Sequence, residues 1–158
     1  MKIRPASSAD ASAIADIWNR EIREGISTFN TVEKGLGGLK AMIASEAVVL
    51  VAEVGGQAVG FATFGPFRSG PGYARTMELT IYVCEAARGQ GAGRALMNAL
   101  EAQAKMRGVH ILVAGVGGEN SAGIAFHQHL GFENVGRMPQ VGRKFDRWMD
   151  LVLLQKML

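Results

Sequence analysis

The chain has 158 residues, 48% apolar and 20% charged, which fits one domain spanning 1–158 that buries roughly 70% of its unfolded surface and excludes a disordered chain. A formal charge of +3 with no run of five basic residues excludes a nucleic-acid binder and suits a small polyanion as partner. Cys84 has no second cysteine to pair with, MKIRPASSAD lacks the apolar core of a signal peptide, and the longest apolar run, 47–52, is too short to span a bilayer, so a cytoplasmic protein without membrane contact is expected.

In chain order, Lys2 to Ala6 reads as a short strand. Ser7 with Asp10 three residues on makes a capping box, and Ala11, Ile14, Ile17, Trp18 and Ile22 then recur at helical spacing up to Gly25. Ile26 to Thr31 is a loop carrying Phe29 and Asn30, and Glu33 to Glu46 is a glycine-interrupted helix. Val48 to Val54 and Gln57 to Phe64 form a hairpin through Gly55-Gly56, and the loop GPFRSGPG leads out of it. A strand over Leu79 to Val83, a helix over 93–107 ended by Gly108, a strand over Val109 to Val116 and a helix over Glu119 to Leu130 closed by Gly131 follow. Phe132 to Met138 and Phe145 to Leu154 are the last strands. This order predicts an α/β fold, a mixed sheet with helices on both faces.

The chain is organised around Thr76 to Arg94, TMELTIYVCEAARGQGAGR, a strand with one carboxylate that runs into a glycine-rich turn and then a helix. Arg88-Gly89-Gln90-Gly91-Ala92-Gly93-Arg94 places a glycine at every second position before the helix, where main-chain N–H groups can close on a phosphate. A dinucleotide fingerprint needs a third glycine or alanine where Arg94 stands, and a P-loop needs Lys and Ser or Thr where Arg94-Ala95 stand, so both fit poorly.

Arg88, Gly91 and Gly93 in the spacing R-x-x-G-x-G resemble the coenzyme A pyrophosphate loop of the GCN5-related N-acetyltransferases (GNAT). Asn120, Phe126-His127 and Leu130-Gly131-Phe132 are similar to the family's second coenzyme-contacting segment. The phosphinothricin and methionine sulfoximine acetyltransferase group matches in Thr76-Met77-Glu78, in Thr80 to Val83, in Phe64-Gly65-Pro66-Phe67 and in the tail from Met138 to Leu151. The resemblance implies the GNAT fold, with a mostly antiparallel central sheet, and an acetyl-CoA-dependent N-acetyltransferase; an enzyme for a different amine or for protein termini or lysines, and a module that binds acyl-CoA without turnover, are the alternatives, and no metal is expected. It also implies a homodimer joined through the C-terminal segment, with Phe145 and Trp148 suited to the interface.

An amine attacking a thioester must be neutral, must find donors where the carbonyl oxygen turns negative, and must expel a thiolate. Glu78 is the only acid in the strand before the loop, and the resemblance implies a general base there, acting through water; a solvated residue or an ion pair with Arg75 or Arg4 is the plain alternative. The resemblance further implies coenzyme contacts from Ile81, Tyr82 and Val83, from the loop 88–94 and from Asn120. His127 stands where the family often has the tyrosine that protonates the thiolate; a packed helix residue touching the coenzyme is the alternative. His127 and His129 face different ways on their helix, so no shared metal is expected, and Cys84 has no histidine partner for nucleophilic work. For an amino-acid acceptor of the phosphinothricin or methionine sulfone type, the resemblance implies binding by Phe29 and Asn30 of the loop and by Tyr73 and Arg75 before the glutamate, with Arg75 able to clamp a carboxylate.

Overall fold

Turn chemistry sets the first half of the sheet. In the computed structural model, which describes residues 1–158, β1 (Lys2–Pro5) pairs antiparallel with β2 (Val49–Val54), and β2 turns through Gly55-Gly56 into β3 (Gln57–Pro66). Both glycines take positive φ, +58° and +81°, which two-residue hairpin turns demand and side chains resist. β3 pairs antiparallel with β4 (Thr76–Val83), and β4 pairs parallel with β5 (Ile111–Gly117). β5 then pairs antiparallel with β7 (Arg147–Met157), which pairs with the edge strand β6 (Glu133–Lys144), so the order is β1-β2-β3-β4-β5-β7-β6. The expected mixed, mostly antiparallel sheet is the one found.

Each face is closed by helices with an apolar stripe. In α3 (Ala92–Met106), Leu96, Met97, Leu100 and Ala104 are fully buried against β2 to β5, and each large side chain so buried contributes about 2 kcal/mol. α4 (Ser121–His129) packs Ile124 and Phe126 on the same cluster. On the other face α1 (Ala11–Glu24) and α2 (Leu36–Ala44) cover Val49, Val51 and Phe61 with Ile14 and Leu39. The start of α1 is tied to the sheet by a charge cluster. Arg4 of β1 donates to both Asp10 oxygens (2.8 and 2.9 Å) and to Glu53 of β2 (2.6 Å), while the Ser7 N–H donates to Asp10 at 2.7 Å. No helix is long and apolar enough to cross a membrane.

Several elements depart from expectation. β4 begins at Thr76 and not at Leu79. α2 is shorter than 33–46, because Gly35 caps it and Gly37 and Gly38 weaken its first turn. The strand expected from Val109 begins at Ile111, since the Val109 N–H still bonds the Ala104 carbonyl at the end of α3. β6 is much longer than the expected Phe132 to Met138, β7 is shifted from the expected Phe145 to Leu154 to Arg147–Met157, and the two form one hairpin. β6 runs past Met138 through a bulge before Gly142, where Asp150 accepts from the Gln140 N–H at 2.9 Å and from Arg137 at 2.8 Å.

Candidate active site

β4 and β5 pair over three residues only, Thr76 with Ile111, Met77 with Leu112 and Glu78 with Val113. Beyond these, β4 follows β3 to Val83 while β5 follows β7 to Gly117, so the sheet opens into a V. The antiparallel ladder with β3, in which the Cys84 N–H bonds the Val59 carbonyl at 2.8 Å, commits every second residue to β3. Ile81 and Val83 therefore turn their N–H groups into the gap. The Val83 carbonyl there accepts from Arg88 Nε at 3.2 Å.

At the mouth of the V, Gly89 and Gly91 take φ of +74° and +86°, and Gly91 starts α3 with no side chain capping it and no acid in its first turn. The first N–H groups and the positive end of the helix dipole are thus left for an anion, with the exposed Arg88 and Arg94 beside them. Gly93 passes beneath the Phe126 ring, where a Cβ would stand 3.0 Å away. Gln90 turns instead to the Ala86 carbonyl at 2.9 Å, and Ala92 is 1% exposed in the core, so neither side chain faces the cleft.

The cleft, of about 1200 Å³, continues to the face covered by α1. Glu78 lines it, its carboxylate lying where a side chain on Gly115 would go: a Cβ there would stand 3.3 Å from Oε1. The residue keeps access to solvent through the cleft, yet burial by the surrounding walls pushes its carboxyl above the usual range. Opposite are Glu21 of α1 and the turn 25–29. Tyr82 lies on this side as well, its ring edge-on to Phe61 at 5.9 Å; burial, then the Glu21 charge, raise its phenol well above normal, and Thr28 beside it opposes them. Tyr82 thus meets the α1 side, with its N–H committed to β3.

The turn 25–29 is held by distant groups. The Gly117 N–H donates to the Ser27 carbonyl (3.3 Å), and a side chain at 117 would collide with the Ile26 carbonyl. The Phe29 ring fills the space that a side chain on Gly142 would need. Asn120 caps α4, accepting from the Gly123 N–H at 2.9 Å, and donates to Ser27 Oγ at 2.8 Å, so its amide joins the start of α4 to this turn.

His127 is 6% exposed between Phe126 and Phe132. Its Nδ1 lies 2.8 Å from the Gly123 carbonyl, which can only accept, so the proton sits on Nδ1 and Nε2 is a buried acceptor without a partner. Burial lowers its pKa further. In this tautomer the one proton of the neutral ring is committed to the Gly123 carbonyl and Nε2 carries none, so the structure offers no free N–H for the expected acid role.

The cleft brings together Phe29, Glu78, Ile81, Tyr82, Val83, Arg88, Gly89, Gly91, Gly93, Arg94, Asn120 and His127. Asn30, Tyr73 and Arg75 are not among its walls. The Asn30 side chain accepts from the Val32 N–H, and Tyr73 packs on Phe67 at 6.4 Å. Arg75 precedes the closed end of the β4–β5 pair, where its carbonyl accepts from His110 and Ile111 and its guanidinium reaches toward Gly108, so it is no carboxylate clamp in this cleft. Sequence reasoning missed Glu21, Ser27 and Thr28; Gly117 and Gly142, each too close to the 26–29 turn for a side chain, were the signals of a close approach.

Comparison with known proteins gives a consistent picture. The model of the acetyltransferase (GNAT) family matches residues 14–132. An L-methionine sulfoximine/L-methionine sulfone acetyltransferase of Salmonella typhimurium is 38% identical, the match covering 98% of this chain and 93% of that protein. The crystal structure of a ribosomal-protein-alanine N-acetyltransferase from Brucella melitensis superposes with TM-score 0.94 at 41% identity over all of both chains. A Salmonella typhimurium acetyltransferase with its cofactor acetyl-CoA superposes with TM-score 0.93 at 38% identity, covering 100% of this chain and 94% of that one.

Proposed function

Because this chain belongs to the acetyltransferase (GNAT) family, we propose that it moves the acetyl group of acetyl-CoA to the α-amine of a small amino acid or analogue, of the methionine sulfone, methionine sulfoximine or phosphinothricin type. The observation that carries this is the meeting, in one cleft, of an uncapped glycine-built helix end, a strand freed from its neighbour, and a carboxylate partly screened from solvent by the cleft walls. The relatives' acceptor amino acids give the substrate class.

When bound, acetyl-CoA supplies the acetyl group as a reactive thioester. The first turn of α3 with Arg88 and Arg94 holds the pyrophosphate. The Ile81 and Val83 N–H groups hold the pantetheine arm and meet the carbonyl oxygen as it gains charge, where one such donor is worth on the order of 3 kcal/mol. Glu78 takes the proton of the ammonium through water, and its raised pKa narrows the gap to the amine it serves. Phe29 and Tyr82 shape the acceptor side. With no free N–H on His127, protonation of the thiolate, whose reference pKa is about 8.5, would fall to solvent. Residues 1–158 act as one domain in the cytoplasm, as a homodimer through the exposed Phe145 and Trp148 of the last hairpin.

The test is thiol release from acetyl-CoA across methionine sulfone, methionine sulfoximine, phosphinothricin, ordinary amino acids, polyamines and a peptide with an N-terminal alanine. Saturable turnover with the tetrahedral amino-acid analogues is expected. Turnover confined to the peptide or the polyamines overturns the substrate class and keeps the coenzyme assignment.

A further inference from the structure

Lys144, the last residue of β6, is 5% exposed, a rare place for an ammonium. Its three protons are matched by three main-chain acceptors: the Glu21 carbonyl at 3.2 Å, Gly25 at 2.6 Å and Thr28 at 3.0 Å. The Glu21 carbonyl, which also accepts the Gly25 N–H at 2.9 Å, lies in the last turn of α1 and Gly25 is its C-cap, where the dipole favours a cation; Thr28 belongs to the turn that follows. Burial lowers the pKa of Lys144, and the Glu21 charge works against that. A lysine paired with a carboxylate fixes a side chain. One that grips three carbonyls across residues 21–28 fixes the path of the chain.

Neither partner needs the ammonium to form. β6 and β7 are joined by a long antiparallel ladder, and α1 is held by Ile14 in its core and by Arg4 at its start. What it decides is the course of the turn between them. We propose that Lys144 is the positioning residue of the acceptor side, holding 25–29 in the shape that presents the amine to Glu78, with no share in coenzyme binding. This rests on the acceptor side proposed above.

The test separates the two ligands. Lys144→Met keeps the length and apolar stem and deletes the donors; Lys144→Arg returns charged donors. Expected for Lys144→Met are a KM for the amine raised about 10- to 100-fold, a coenzyme Kd within about twofold of wild type by calorimetry, and faster amide exchange over 26–29, with Lys144→Arg recovering part of each loss. Gly142→Ala, which forces the Phe29 ring out by a route independent of the lysine, should show the same split. An unchanged amine KM in Lys144→Met, or equal losses toward both ligands, overturns the proposal. Should Lys144→Met not fold, Lys144→Arg and Gly142→Ala are read by the same split, and equal losses in both overturn it. If the wild type turns over no amine, the functional reading fails by itself; exchange then decides, and unaltered protection of 26–29 in Lys144→Met overturns the lysine's role.

Discussion

The two ends of the cleft are built in opposite ways. At the end proposed for the coenzyme the free groups are mostly main-chain N–H groups, the first turn of α3 behind Gly91 and Ile81 and Val83 along the freed stretch of β4, with Arg88 and Arg94 beside them. At the end proposed for the acceptor the walls are side chains, Glu78, Tyr82 and Phe29, packed against residues far away in sequence. A seat made of backbone tolerates changes of side chain and fails when the backbone's approach is blocked. A wall made of side chains tolerates little at its tips and is tuned through its supports.

The largest expected effect breaks the first end. Gly91→Asp puts a carboxylate at the anion seat and a side chain at φ +86°, and calorimetry should find acetyl-CoA binding lost, by about 10³-fold or more; retained binding removes the loop assignment. Next, Glu78→Gln should lower turnover about 10²-fold or more while coenzyme affinity stays nearly constant. In the wild type, kcat/KM should fall as pH drops through a carboxyl pKa raised above the usual ~4.3 by burial, and this acid limb should vanish in Glu78→Gln. A limb that persists reassigns the base. The smallest effect sharpens the contrast by loosening α1 at the end opposite its contact with the acceptor turn. Arg4 and the Ser7 N–H hold Asp10 at a pKa of about 2, below its ordinary 3.8. Its contribution, on the order of 2 kcal/mol, is present above pH ~4 and is lost as pH falls toward 2. Asp10→Asn should remove about that much from the unfolding free energy at pH 7 and flatten the acid dependence seen in denaturant titrations.

The same contrast explains what could be read in the sequence. The coenzyme seat is contiguous: strand, alternating glycines and helix lie within Thr76 to Arg107, and each local pattern has one physical meaning. Element order was legible for the same reason, with α2 overextended because its glycines weigh against its apolar residues. The acceptor end was not legible, because Lys144 reaches carbonyls 116 to 123 residues away and main-chain carbonyls carry no sequence signal. Arg75 has the right chemistry for a clamp, but the register that pairs Thr76 with Ile111 leaves it beyond the closed end of the V. The tautomer of His127 follows from the Gly123 carbonyl, a contact that exists only once α4 is wound. Trp148 and Phe145 were legible as exposed, whereas the bulge at Met138 to Gly142 depends on Asp150 across the hairpin.

The three-residue pairing of β4 with β5 leaves a seven-stranded sheet hinged near its middle, its two halves joined by few inter-strand hydrogen bonds. A molecule that lodges in that gap and bonds the free edge welds the halves together. Its binding energy then counts toward the cohesion of the whole chain: at one hundred times its dissociation constant, a ligand specific for the folded form adds about 2.7 kcal/mol. Added acetyl-CoA should therefore raise the midpoint of thermal unfolding and slow proteolysis, and an unchanged midpoint at saturating acetyl-CoA would remove this link.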